Sequence, residues 1–141
     1  MNIDSIKNGI VIDHIHAGGA MELYRLLHLD KLDCTVAIIK TAPSELMGRK
    51  DIIKLATMTD IALTVIGYVD PGATINVIKD GRLSEKRKLT MPEKIVNVLR
   101  CKNPRCITSV EPDLPQIFKL TSPETHTYRC IYCETKAEAN Q

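Results

Sequence analysis

Tryptophan is absent from this chain of 141 residues, and phenylalanine occurs once, at Phe118. A protein that grips single-stranded nucleic acid by stacking needs flat aromatic platforms. Aromatics at 4% and a formal charge of only +2 count against that class. No apolar run is long enough to cross a bilayer. Low-complexity tracts and internal repeats are missing, and only the last few residues, about Ala137 to Gln141, read as a frayed tail. Met1 to Gly9 is polar and charged, unlike a secretion signal, so a reducing, cytoplasmic setting is expected. The chain has no Gly-x-Ser-x-Gly, no His-Glu-x-x-His, no phosphate loop and no paired carboxylates with a matching base, so no catalytic residues are expected.

What the chain does have is cysteine in close pairs. Cys101 and Cys106 form one, Cys130 and Cys133 the other. Each pair can turn two thiolates toward one ion, and the segment from Ile107 to Arg129 can run out and back to join them. In a reducing compartment such spacing points to a structural zinc rather than disulfides. With four cysteine ligands no open position remains for catalysis. The apolar residues nearby, Ile107, Val110, Leu114, Ile117, Phe118, Leu120 and Tyr128, make a thin core, so the metal should hold the module folded. Cys34 stands apart in an apolar run and reads as a small buried hydrophobe.

Upstream, Gly9 to Ile15 is β-branched and reads as a strand. Ala17 to Leu29 carries Ala20, Leu23, Tyr24 and Leu27 at helical spacing, with Asp30 and Lys31 closing it. Asp33 to Lys40 reads as a strand buried on both faces, followed by a loop over Thr41 to Ser44. Arg49 to Thr57 fits strand or helix. Asp60 to Val69 is taken as helix, with Ile61, Val65 and Tyr68 on one face and Thr59 or Asp60 as cap. Ala73 to Lys79 and Arg82 to Leu89 form a hairpin around Asp80-Gly81, the second strand a solvated edge. The fold class is α+β. The order is that of a ferredoxin-like α/β sandwich, βαββαβ, with one extra strand, followed by a small all-β zinc domain with four cysteine ligands. A connector over Leu89 to Leu99 joins the two.

Asp13 and His14 are neighbours on a strand, where successive side chains point to opposite faces, so they are not expected to act as a dyad. Lys50 and Lys54 share a face in either conformation, because a separation of four suits both periods. With Lys86, Arg87 and Lys88 they could hold phosphates or simply face water. Lys102, Arg105, Arg129 and Lys136 ring the cysteines. From the residues alone, the competing reading is a nucleic-acid-binding zinc ribbon fused to an α/β domain.

In order and at matching separations, Gly9-Ile10-Val11-Ile12-Asp13-His14-Ile15, Met47-Gly48-Arg49-Lys50-Asp51, Ala73-Thr74-Ile75-Asn76, Pro92-Glu93-Lys94-Ile95, Asn97-Val98-Leu99, the four cysteines and Tyr132-Cys133-Glu134 resemble the regulatory chain of aspartate carbamoyltransferase. The resemblance runs nearly end to end. It implies a nucleotide-effector domain over 1–90 and a zinc domain over 91–141 that docks on the catalytic chain. It also implies a regulatory-chain homodimer, no activity of its own, and ATP, CTP or UTP as effectors in pyrimidine biosynthesis, with no membrane or nucleic-acid partner. The effector pocket would comprise Ile3, Asp4, Ser5 and Ile6 near the base, Val11, Asp13 and His14 on the first strand, Lys50 and Lys54 on what the family makes a strand, and Asn76, Ile78, Leu83 and Lys86. Asp13 would accept from ribose hydroxyls, while His14 and Lys86 would face phosphate. Asn103, Glu111 and Tyr132 match the family's interface with the catalytic chain.

Overall fold

The computed structural model describes residues 7–57 and 62–137. The chain divides into two compact units, Met1–Thr90 and Met91–Gln141. The first contains β1 (Gly9–His16), α1 (Gly19–Leu26), a 3-10 turn (Leu29–Lys31), β2 (Val36–Ser44), β3 (Gly48–Leu55), α2 (Leu63–Val69), β4 (Thr74–Lys79) and β5 (Arg82–Lys88). Its sheet runs β2-β3-β1-β4-β5 with every pair antiparallel. This is the βαββαβ order with β5 added beyond β4, as the hydrophobic periodicity suggests.

Alternation divides the sheet into two faces. Ile10, Ile12, Ile53, Leu55, Ile75 and Val77 are buried, and Leu23, Val65 and Ile66 of the helices are buried as well. The other face carries Val11, Ile52, Lys54, Thr74, Asn76 and Ile78, all half-buried. The hairpin turn at Asp80-Gly81 has φ of 52° and 77°, the doubly left-handed pair of a type I′ turn. Gly19 is required for space, since a Cβ there would lie 2.8 Å from the His16 ring.

Several segments depart from the sequence reading, each for a local reason. The first helix stops at Leu26 rather than Leu29, because His28 adopts φ 54° and the chain continues as a separate 3-10 turn. Thr41 to Ser44 is not a loop: β2 runs through it by way of a bulge between Ile39 and Ala42, with Thr41 at φ 59°. β2 is an edge strand, so its residues are half-buried or exposed rather than enclosed on both faces. Cys34 precedes β2 and is half-buried. Arg49 to Thr57 resolves as strand β3 and the next segment as helix α2, while Thr59, Asp60 and Ile61 lie outside the described residues.

One side chain that periodicity does not flag organises this unit. Asp51 is fully buried, and its carboxylate accepts from the N–H groups of Gly18 at 2.9 Å, Ala20 at 3.2 Å and Thr41 at 2.8 Å. It satisfies the open amides at the start of α1 and the amide released by the β2 bulge. A buried charge is tolerated when it is hydrogen-bonded this completely.

The second unit is a three-stranded antiparallel sheet, β6-β7-β8, of Lys94–Val96, Ile117–Ser122 and Thr127–Cys130, plus one helical turn, α3 (Ile107–Val110). Its core is Ile95, Leu99, Phe118 and Tyr128 with the cysteines. Ile95 and Leu99 therefore belong to this unit and not to a connector. Ile107 and Val110, expected in the core, are 51% and 73% exposed because α3 is a single turn on the surface. The Tyr128 hydroxyl donates to Pro92 O at 2.5 Å, fastening the first residues of the unit to its core.

Asp51→Ala should lower the stability of the first unit by about 3 kcal/mol, since three buried amides lose a charged acceptor. Urea unfolding of the purified chain measures it, and a loss below about 1 kcal/mol would contradict the role given to Asp51.

Candidate functional site

The two cysteine pairs converge. One ligand atom from each of Cys101, Cys106, Cys130 and Cys133 lies within 4.8 Å of the others. Cys101 and Cys133 sulfurs are 3.5 Å apart, those of Cys106 and Cys130 3.7 Å, and all five cysteines of the chain are free thiols. Four sulfurs bound at about 2.3 Å around a tetrahedral ion would be about 3.8 Å apart, so the donor set fits one such metal.

Local structure delivers these sulfurs. The Cys101 amide donates to Gln116 Oε1 at 2.9 Å, tying the first turn to the residue before β7. Asn103 Oδ1 accepts from the Arg105 amide at 3.0 Å, and the Thr108 hydroxyl donates to Cys106 Sγ at 3.1 Å. In the second turn the amides of Tyr132 and Cys133 donate to Cys130. Burial pushes the Cys101 thiol up to about 12 and raises Cys130 as well. Burial also acts against ionisation of Cys133, but hydrogen bonds from Thr135 and Asn103 outweigh it and bring that thiol to about 6. Four thiolates this close can coexist only if a cation shares their charge.

The second constellation lies on the face of the first sheet away from the helices. Register places Lys54 beside Val11, Val11 beside Asn76, and Asn76 beside Lys86, one row across four strands. Ile78 and Leu83 are paired at the hairpin end. Between Ile12 and Ile15, β1 holds one residue more than β3, and His14 takes φ 59°. This bulge overturns the expectation that Asp13 and His14 diverge. An extra residue breaks the alternation and re-aims side chains. The His14 amide donates to Asp13 Oδ1 at 2.6 Å, and His14 Nδ1 lies 4.0 Å from Asp13 Oδ2. Lys50 Nζ pairs with Asp13 Oδ1 at 3.0 Å, and both side chains are under 20% exposed.

The structure thus gathers Val11, Asp13, His14, Lys50, Lys54, Asn76, Ile78, Leu83 and Lys86 on one sheet. Leu83 and Lys86 are the exposed members. Ile3, Asp4, Ser5 and Ile6 lie outside the described residues. Two features went unread in the sequence. Thr74 holds the His14 ring, its Oγ1 3.1 Å from Nδ1, and only the bulge makes that contact possible. Asn76 Oδ1 is buried with no hydrogen-bond partner among the described residues, an acceptor that a ligand could satisfy.

On the second unit, Asn103 and Tyr132 are half-buried and Glu111 is exposed. Tyr132 donates its hydroxyl to Pro115 O at 3.1 Å, and Asn103 bonds within the cysteine cluster, so both also shape their own turns.

Comparison with known proteins places the chain among close relatives. Residues 1–90 match the family model for the aspartate carbamoyltransferase regulatory chain, allosteric domain, and residues 93–141 the model for its metal binding domain. The aspartate carbamoyltransferase regulatory chain of Clostridium botulinum is 48% identical over 134 residues, covering 95% of this chain and 92% of its own length. That of Clostridium tetani is 46% identical over 135 residues, with coverage of 95% and 94%. That of Bifidobacterium longum is 42% identical over 138 residues, with coverage of 98% and 99%. Among the described residues, no helix is long and apolar enough to cross a membrane.

Two outcomes follow from the geometry. A strong chelator should abolish amide-exchange protection at Phe118 and Tyr128 while leaving Ile12 and Ile53 protected; uniform retention or uniform loss would contradict a metal that folds only the second unit. Burial would raise the Asp13 carboxyl, but the hydrogen bonds from Lys50 and His14 and their charges hold it below its ordinary 3.8. Its contribution to stability is therefore present above pH 3.8 and lost as pH falls through the lowered folded value. Lys50→Met should raise the Asp13 titration seen by carbon-detected NMR, and an unmoved midpoint would show that the pair does not form.

Proposed function

The chain belongs to the family of aspartate carbamoyltransferase regulatory chains, and on that premise we propose that it senses nucleoside triphosphates and conveys their binding to a catalytic chain on which it docks. It is a regulatory subunit, not an enzyme in its own right. In this reading the first unit takes the effector on its open face, and the second carries the docking surface.

The observation that carries the effector reading is the open face itself. Lys50, Lys54 and Lys86 supply several cations for a triphosphate, which one exposed lysine would hold weakly, and the His14 ring lies beside them. The Asp13 carboxylate is a natural acceptor for ribose hydroxyls. Val11, Ile78 and Leu83 offer an apolar bed for a base, and the orphaned Asn76 carbonyl offers it an acceptor. ATP, CTP and UTP share the ribose and triphosphate that these groups fit.

The metal reading is one structural zinc ion held by Cys101, Cys106, Cys130 and Cys133. An all-thiolate tetrahedral set suits zinc, and a closed shell fits a role in holding turns together rather than catalysis. Those turns carry Asn103 and Tyr132, and Glu111 ends the helical turn α3 that follows Cys106; these are the residues proposed to meet the catalytic chain. A homodimer partner is proposed at β2. Its nine-residue outer edge holds Val36, Ala37, Ile38 and Ile39, and an apolar strand edge of that length pairs readily with a copy of itself.

Regulation then requires that effector favour one state of the assembly, by about 1–3 kcal/mol. Lys86→Ala should weaken CTP or ATP binding about fivefold in calorimetry while metal content stays unchanged. Cys133→Ser should leave the first unit folded and abolish co-elution with the catalytic chain. Loss of metal in the lysine variant, or normal assembly in the cysteine variant, would contradict the division of labour.

A further inference from the structure

The outer face of the second sheet carries four cations side by side. Lys94 of β6 pairs in register with Lys119 of β7, Lys119 with Arg129 of β8, and Arg129 with Lys136. All four are exposed, and among the described residues none takes part in an ion pair. Neighbouring strands lie about 5 Å apart. That is inside the Debye length of about 8 Å at physiological salt, so the charges feel one another. Like charges directly opposite across strands destabilise a sheet. A surface that only needed solubility would intersperse the signs, as β5 does where Arg87 bonds Glu85 at 2.7 Å.

Beside this row runs an apolar one. Val96 is in register with Ile117, and the Ile131 amide donates to Ile117 O at 3.1 Å. Val96 is 50% exposed, Ile131 44%, and Ile117 is half-buried. Core positions alternate with these, as Ile95, Phe118 and Cys130 turn inward. The face is thus a cationic stripe alongside an apolar stripe, both running across the strands.

We infer that this face docks an amphipathic helix of a partner polypeptide, one with an acidic stripe beside an apolar one. Spacing favours a helix. Residues three and four apart on a helix are about 5–6 Å apart, close to the strand separation. Same-face residues of an extended segment are about 7 Å apart and fall out of step within the row. A nucleic-acid strand would fit the charges, but the apolar stripe holds no aromatic ring on which bases could stack. Resting on the function proposed above, the partner is the catalytic chain, and the ladder is a contact additional to Asn103, Glu111 and Tyr132. Arg129 also donates to Glu134 O at 3.1 Å and braces the second cysteine turn, so Lys94 and Lys119 are the clean probes.

The test measures association of the full-length chain with the cognate catalytic chain. Lys94→Glu with Lys119→Glu should weaken it about tenfold or more, with metal content and circular dichroism unchanged, while arginine at both positions keeps wild-type affinity. Wild-type association should also fall steeply with added salt, and that of the glutamate variant only slightly. Unchanged affinity of the glutamate variant, or salt-insensitive wild-type association, would overturn the ladder and leave the regulatory function standing. Failure of the wild-type chain to associate would overturn both. Tight binding of single-stranded RNA or DNA homopolymer, lost in the glutamate variant, would overturn the polypeptide as occupant.

Discussion

Four sulfurs within 4.8 Å of one another impose a charge problem that governs the second unit. Its core of Ile95, Leu99, Phe118 and Tyr128 is small, and its only helix among the described residues is one turn long. Chains of this size rarely bury enough apolar surface to fold unaided. A cation among the sulfurs would remove their mutual repulsion and join the two turns, which Asn103 also links by its hydrogen bond to Cys133. Gln116, Thr108, Asn103 and Thr135 then act as an outer layer, each hydrogen-bonded to a cysteine or to the turn that presents it. Both proposed contacts with the partner, the turn residues and the cationic row, are placed by that closure.

The first unit meets a different constraint. A sheet covered by helices on one side must do something with the other. Here the exposed side carries charge of both signs at chosen places, and each of two bulges has its own task. The bulge at His14 brings an acid, a base and Thr74 together, and the bulge at Thr41 releases an amide that Asp51 captures. Lys50 and Asp51 are adjacent in β3 and point oppositely, one to Asp13 on the open face and one into the buried side. A single strand thus anchors the open face and the helix start at once.

The order of strands and helices was legible in the sequence because β-branched runs, the Asp80-Gly81 turn and the spacing of Val65 and Tyr68 are local signals. The cysteine cluster was legible because its spacing is chemistry rather than propensity. The bulges were not. A left-handed histidine or threonine leaves no mark in hydrophobic alternation, which sends Asp13 and His14 to opposite faces and makes Thr41 to Ser44 a loop. The edge position of β2 was hidden for another reason: Val36 to Ile39 is as apolar as a central strand, and only topology shows that one side of it has no strand neighbour among the described residues. Ile107 and Val110 misled in the same way, since apolar residues on a single turn can face outward. The cationic row was invisible because Lys94, Lys119, Arg129 and Lys136 are scattered in sequence and meet only through strand register.

The claim on which most rests is that one tetrathiolate metal organises the second unit. X-ray absorption at the zinc edge on the purified chain tests it most directly. The account predicts one zinc per chain with four sulfur neighbours at about 2.3 Å and no nitrogen or oxygen in the shell. A well-folded second unit with no stoichiometric metal, or with a shell containing fewer than four sulfurs, would contradict it.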